Sequence, residues 1–324
     1  MTLNIISRKP SLNELPENYL IEINSFSAIS LNGEEQSKYL QGQVTCDVNA
    51  LTNNSFMHGA HCNAKGKVFS CFRLFNRNNS HLLFQPKSTI EDSIAELKKF
   101  GVFAKVAITT CDELGFFALI GPQASTLLKN KFAQVPDSLT PVIQIDGTSL
   151  VYLSGNIDRY LIIDEHTKLV DIVSSFSLPV YNSAIWELLE IKEGFPLLSV
   201  ESDNEYVPQM LNMQAINGIS FKKGCYLGQE TVARMQYLGK NKKALFAFNG
   251  HILEQITQPI IEKQLGENWR KAGDITSVYQ ADNGECYIQA VLANDIDKTT
   301  KLRLKDLPES VLSLVDLPYS LNQE

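Results

Sequence analysis

The run Lys222–Glu230, KKGCYLGQE, sets Cys225 between Gly224 and Gly228 and directly behind Lys222 and Lys223. An ammonium group beside a thiol favours its ionised form, so both lysines argue for a pKa below the unperturbed value of about 8.5. The apolar segment Ile216–Phe221 reads as the end of a strand, and Gln229, Glu230, Val232, Ala233 and Met235 begin a helix-forming stretch. Cys225 is therefore predicted in a strand-to-helix turn, where the free N–H groups of a helix start add to the stabilisation of a thiolate. Such a sulfur serves as a nucleophile, a redox centre or a soft-metal ligand. Gly224 and Gly228 open backbone angles closed to other residues and let a ligand or partner approach the main chain. The competing reading is a small hydrophobe needed only for folding, since free cysteine is among the most buried residue types.

The elements that must position this thiol belong to a chain of 324 residues, too long for one core of ordinary size, so two or three domains are expected. With 44% hydrophobic and 20% charged residues the composition is that of a soluble globular protein. A net charge of -7 excludes a protein that coats nucleic acid non-specifically, which needs a basic surface. The densest positive cluster, Lys222, Lys223, Arg234, Lys240, Lys242 and Lys243, surrounds Cys225 and reads either as a local basic patch or as a solvated face. The N-terminal residues have no signal-peptide core, and no stretch reaches the roughly 18 apolar residues of a membrane span, so a cytoplasmic protein without membrane contact is expected. The 6 cysteines, at 46, 62, 71, 111, 225 and 286, show neither a CxxC pair nor zinc-ribbon spacing. No disulfide framework and no stably bound metal are expected.

Helix and strand signals alternate over the first two-thirds. Ser88 and Glu91 form a capping-box pattern ahead of Ile90, Ile94 and Leu97, and Gly101 supplies a stop, which predicts a helix over 88–100. Lys67–Phe75, His81–Gln85 and Val102–Ile108 read as strands around it. The rhythm recurs with a strand over Phe116–Ile120, a helix opened by Gly121-Pro122, strands near 141–153 and 160–164, and a helix carrying Leu169, Ile172, Val173 and Phe176 on one face. Past residue 240 the pattern changes to short strands, Ala244–Phe248, Ala272–Val278 and Tyr287–Leu292, which predicts a small antiparallel barrel or sandwich. The fold class is α+β, with boundaries at 1–240 (lobes of about 1–113 and 114–240) and 241–324.

KKGCYLGQE with Thr231, Val232, Ala233 and Arg234 closely resembles the signature of the YgfZ family, folate-binding proteins associated with tRNA modification and related to the glycine-cleavage aminomethyltransferase. The resemblance extends to Tyr39–Asp47, His61–Lys67, Gly266–Arg270 and Leu317–Leu321, blocks that span nearly the whole chain. It implies two α/β lobes of the aminomethyltransferase-like folate-binding fold in a ring-like arrangement with a C-terminal antiparallel β-barrel. It also implies tetrahydrofolate or a derivative at the centre of the molecule, and a role in sustaining iron–sulfur enzymes, including those that thiolate tRNA. Function then rests on Cys225, assisted by Lys223 and able to act as a transient metal ligand, within a motif that includes Lys222, Gly224, Tyr226, Gly228, Gln229 and Glu230. The resemblance associates Trp186 and Phe26 with folate; an indole or phenyl face suits stacking of a pterin or aminobenzoyl ring, while the local alternative for Trp186 is packing beside Ile185, Leu188 and Leu189.

The aminomethyltransferase relatives carry paired aspartates where this chain has Ser70 and Cys71, so no carboxylate handles protons on a folate nitrogen there. The Glu-Ala-Gly common in relatives reads Lys192-Glu193-Gly194, and Glu190 or Glu193 replaces the missing carboxylate only if turned inward. The expectation is a folate-dependent accessory factor for iron–sulfur cluster assembly or repair, and through it tRNA modification, rather than an active aminomethyltransferase. A tetrahydrofolate-dependent one-carbon transferase is the alternative. A thiol enzyme without folate is a third reading and would need His58, His61 or His81 brought beside Cys225, and direct tRNA binding, a fourth, rests on the lysine cluster alone.

Overall fold

The computed structural model describes residues 3–199, 204–239 and 241–321. A five-stranded sheet is ordered Phe56–Cys62, Val68–Arg77, Ser80–Pro86, Phe26–Asn32 and Ala107–Thr110. A seven-stranded sheet runs Ile5–Ile6, Val180–Tyr181, Tyr19–Glu22, Leu114–Ile120, Arg159–Glu165, Thr148–Leu153 and Val142–Ile145. The third, six-stranded and antiparallel, is built from residues beyond 242, with Asn268–Gln280 and Glu285–Ala293 at its middle. A bridge from Leu302 to Leu312, beside the last strand Ser313–Val315, brings its two edges together as a barrel requires. Among the described residues no helix is long and apolar enough to cross a membrane.

The first lobe does not begin at residue 1. Ile5–Ile6 and Tyr19–Glu22 pair with Val180–Tyr181, so the N-terminal segment completes the sheet of the second lobe. Edge pairing across a long sequence separation leaves no local signal, because a strand's pattern states its faces and not its neighbours. Two local readings also change. Ser88 Oγ donates to Leu198 O at 3.0 Å instead of capping the helix Ile90–Gly101, whose N-cap is Thr89 without a side-chain cap bond. Ile216–Phe221 is a turn and irregular loop rather than a strand end.

The three sheets share one core, in which Phe75, Phe84, Leu161, Leu188, Leu245 and Val291 are all buried. At its centre lies the helix Ser183–Glu193, which buries Ile185, Trp186, Leu188, Leu189, Glu190 and Ile191 and so presents apolar side chains nearly all round. Asn182 caps its start by accepting from Ala184 N–H at 2.9 Å. Gly194, at φ +67°, ends it in the left-handed conformation. Tyr319 Oη donates to Gly194 O at 2.7 Å, so the C-terminal tail is latched over the end of the central helix.

Candidate functional site

The run Lys222–Glu230 is a loop pinned at both ends onto the other blocks of the signature. Lys223 is turned inward: its ammonium donates to Val44 O at 2.7 Å and Cys46 O at 2.6 Å and lies 5.1 Å from the Tyr226 ring. Leu227 N–H donates to Gly42 O, and the neighbouring Ser220 N–H to Thr45 O. Gly228, at φ +82°, stands against Asn63 and Gly66, where an added Cβ would fall 2.5 Å from Asn63 O. Gln229 closes the turn, its N–H donating to Tyr226 O and its Oε1 accepting from Tyr226 N–H at 3.4 Å. Between these anchors Lys222, Gly224 and Cys225 are exposed, while Cys46, Cys62, Cys71, Cys111 and Cys286 are buried.

The surroundings expected of the thiol are therefore rearranged. The helix begins at Gln229, with Gly228 as its N-cap, so Cys225 precedes it by a full turn of loop. Lys223 serves as an anchor facing the protein and not as the electrostatic helper of Cys225. Its burial, opposed by Cys46 and Asp47, pushes its pKa down to about 8. Gly224 has no neighbour that a Cβ would strike, so its freedom is not demanded as that of Gly228 is. Glu230 is exposed in the first helical turn. Lys222, Arg234, Lys242 and Lys243 are exposed, Lys223 leaves the basic cluster by burial, and Lys240 lies outside the described residues.

A cavity of about 510 Å³ opens where the lobes and the C-terminal tail meet. Strand Phe56–Cys62 contributes Met57 and His58, Val68–Arg77 contributes Arg73, and Arg159–Glu165 contributes Arg159. The end of the central helix adds Glu193 and Phe195, the segment leading to Cys225 adds Ile216 and Asn217, and the tail adds Pro318 and Tyr319. Ile216 and Asn217 thus connect one side of the cavity wall to the thiol loop along a short stretch of chain.

The electrostatics of this cavity come from a buried cluster. Glu190, fully buried, accepts from Arg73 Nη2 through Oε2 and from Arg159 Nη1 through Oε1, each at 2.8 Å. Burial works against its charge, but the two guanidinium groups outweigh it and hold the carboxyl below its usual range. Two cations share Glu190, and the carboxylate of Glu193 on the same cavity wall balances the second of them. His58 Nδ1 lies 3.1 Å from Ile216 O, an acceptor, which assigns the proton to Nδ1. Burial, with Arg73 next in importance, pushes the His58 pKa down to about 3, so the ring is neutral at pH 7.

Comparison with known proteins matches this architecture. A protein of Colwellia psychrerythraea called tRNA-modifying protein YgfZ is 62% identical over 100% of this chain and 100% of its own length. The chain belongs to the YgfZ family. A protein of the same name from Vibrio atlanticus is 41% identical over 96% of this chain and 95% of its own. The family described as YgfZ, beta-barrel domain, matches residues 241–307, within the six-stranded sheet. The glycine cleavage system aminomethyltransferase T from Bartonella henselae superposes with a TM-score of 0.71 over 93% of this chain and 86% of its own at 15% identity, which shows a shared fold.

Within that fold the aromatic pair expected at the ligand sits one layer deeper. Trp186 is fully buried, with Arg159 4.8 Å and Arg73 5.9 Å from its ring, so the arginines stand where the indole face was expected to meet a ligand. Phe26 is 3% exposed and packs edge-on to Trp186 at 6.1 Å. Ser70 and Cys71 are buried, Ser70 facing Ser93 Oγ at 3.4 Å, and add no acid or base to a site. Glu190 and Glu193 do turn inward, but Glu190 is committed to the arginines, and Glu193 accepts from the backbone N–H groups of Asn156 and Ile157 at 3.3 Å. Arg73 and Arg159 were not singled out in the sequence. The signal that could have found them is a lone arginine inside or at the head of an apolar strand, FRLF and RYLII, where an unpaired charge is too costly to bury without a purpose. His58, His61 and His81 have ring nitrogens engaged by Ile216 O, by Ser93 Oγ, and by Ser37 and Asn76 respectively, and none of these contacts is with Cys225.

Proposed function

We propose that this chain is a folate-binding accessory protein that supports iron–sulfur cluster assembly or repair in partner enzymes, and through them tRNA modification. The observation that carries the reading is the division of labour within one scaffold: an exposed thiol on a rigidly pinned loop, and a separate charged cavity behind it. Relatives covering the full length of the chain are named as tRNA-modifying proteins.

The cavity fits tetrahydrofolate or a derivative in chemical character. Phe195, Tyr319 and Met57 give apolar and aromatic walls to a flat ring system, and Arg73 and Arg159 give it buried N–H donors. When bound, a reduced folate would supply a one-carbon carrier and an oxidisable tetrahydropterin. The chain's own residues orient it: Arg73 and Arg159 offer it N–H donors, neutral His58 holds the cavity wall to Ile216, and Tyr319 keeps the tail closed over Gly194.

Cys225 acts at the surface. Coordination of iron by its sulfur releases the thiol proton to solvent. Among the described residues no three His, Cys, Asp or Glu side chains gather into a ligand set, so the remaining ligands come from the partner enzyme. Lys223 and Gly228 hold the loop, and Lys222 gives it an exposed positive charge. The alternative, tetrahydrofolate-dependent one-carbon transfer, draws on the shared fold alone, and the buried Ser70 and Cys71 give it no carboxylate.

The test is the content of thiolated nucleosides in tRNA, measured by mass spectrometry in cells deprived of this chain and complemented with it. Wild type should restore them and Cys225→Ser should not. Full restoration by Cys225→Ser, or unchanged nucleosides in the deprived cells, would sink the proposal.

A further inference from the structure

We infer that the surface beside Cys225, apolar at Tyr237 and Leu238 and basic at its rim, docks an acidic face of the protein that Cys225 serves. That this protein is an iron–sulfur enzyme rests on the function proposed above; that its docking face is acidic with an apolar centre does not. The helix Gln229–Tyr237 follows the thiol loop directly and buries only Val232. A helix of fewer than three turns draws its stability from packing, and this one leaves most of its surface uncovered. At its far end the adjacent side chains of Tyr237 and Leu238 are 68% and 84% exposed. The Phe221 ring lies 6.2 Å from that of Tyr237, so the apolar surface reaches back to the segment that enters the thiol loop. An apolar patch with a charged rim is the build of a protein interface.

Charge states what the partner must carry. Residues 221–243 hold 6 basic side chains and 1 acidic one, a charge of +5 within a chain of -7. Of these, Lys222, Arg234, Lys242 and Lys243 are exposed, and among the described residues none of the four pairs with a carboxylate. Elsewhere the exposed Lys38, Lys99, Lys105 and Lys298 each have an acidic partner within the chain. The two lysines past the helix are tied to it through Gln209, whose Nε2 donates to Val232 O at 2.7 Å and whose O accepts from Asn241 Nδ2 at 2.9 Å. Unpaired cations around an apolar centre select a partner with carboxylates around an apolar one. A protein fits better than RNA: Leu238 has no ring to stack on a base, and Phe221 stands edge to face with Tyr237 at 70°, which breaks up a flat stacking platform.

Photo-crosslinking of the full chain in cells tests the surface, with p-benzoylphenylalanine in place of Leu238. The control carries it in place of Leu139, 91% exposed ahead of the strand Val142–Ile145. Mass spectrometry identifies what each position captures. Position 238 should capture one iron–sulfur enzyme that position 139 does not, through a peptide bearing Asp or Glu. Adding Lys242→Glu with Lys243→Glu should lower that yield at least about 5-fold, and reversing the acidic residues of the captured peptide should restore it. Arg234→Glu, on a separate element, gives the same reversal if the lysine pair fails to fold by circular dichroism. Purified, the captured enzyme should bind wild type more weakly as salt is raised from about 50 to 300 mM. An acidic protein without a cluster, captured with the same charge dependence, would support the docking surface and count against the iron–sulfur reading. Capture of RNA, of a second copy of this chain, or of nothing beyond the level at 139 would overturn the docking surface, as would a yield indifferent to both reversals. The iron–sulfur reading is then decided separately by the thiolated nucleosides in Cys225→Ser cells.

Discussion

Gly66 and Gly228 meet backbone to backbone: a Cβ on Gly228 would fall 2.8 Å from Gly66 Cα, and one on Gly66 would fall 3.0 Å from Gly228 O. The turn after strand Phe56–Cys62 and the thiol loop are thereby locked together, which fixes where Cys225 is displayed. Gly228→Ala meets that contact and also a φ of +82°, and should destabilise the protein by about 1–3 kcal/mol. Gly224→Ala, with nothing within 4 Å of its Cβ, should leave thermal unfolding nearly unchanged. Equal melting temperatures for the two variants would contradict this packing.

Thiol accessibility should be confined to Cys225. Burial pushes the pKa of Cys46 and of Cys111 up to about 12 and that of Cys286 up to about 11, and raises Cys62 and Cys71 further. Iodoacetamide at pH 7.5, followed by peptide mapping, should modify Cys225 in the native protein and the other cysteines only after unfolding. Cys225→Ala should shift stability by no more than about 0.5 kcal/mol, as for an exposed residue. Native labelling of Cys46 at a comparable rate would contradict the burial pattern.

Lys223 should give stability an alkaline dependence. Its folded pKa of about 8 lies below the roughly 10.4 of an unfolded lysine, so between these values the unfolded chain binds more protons and stability rises with pH. The neutral amine keeps two N–H donors for the carbonyls of Val44 and Cys46, so the anchor survives deprotonation. Urea unfolding at pH 7.5, 8.5 and 9.5 should show wild type gaining stability relative to Lys223→Met. A parallel pH dependence in the two proteins would rule out the buried ammonium as its source.

Trp186→Ala should cost about 3–5 kcal/mol, the usual range for a large aromatic lost from a core, because the indole is fully buried under Arg73 and Arg159. Trp186→Phe should retain most of that stability. Denaturant melts check both, and an Ala variant as stable as wild type would place the indole outside the core.

The strands over 68–77, 80–86 and 114–120 and the change of pattern after residue 240 were legible because alternation, apolar runs and turn residues are local properties. So was Cys225 as the thiol to watch, from its glycines and its neighbours. What eluded the sequence is non-local. Lys223 looks like a companion of Cys225 because it is two residues away, yet its ammonium reaches carbonyls of a segment far earlier in the chain. Ser88 has the spacing of a cap, but Leu198 O competes for its hydroxyl. Trp186 was legible as an apolar residue on a helix, whereas the arginines that separate it from the cavity come from two strands of different sheets.

The central claim is that folate binding and thiol chemistry occupy separate places on one scaffold. Isothermal titration of wild type and Cys225→Ala with tetrahydrofolate tests it most directly. The account predicts saturable binding to both proteins with affinities within about 3-fold of each other, a difference of under about 0.7 kcal/mol. No binding to wild type, or a Cys225→Ala variant that folds but has lost tetrahydrofolate, would contradict it.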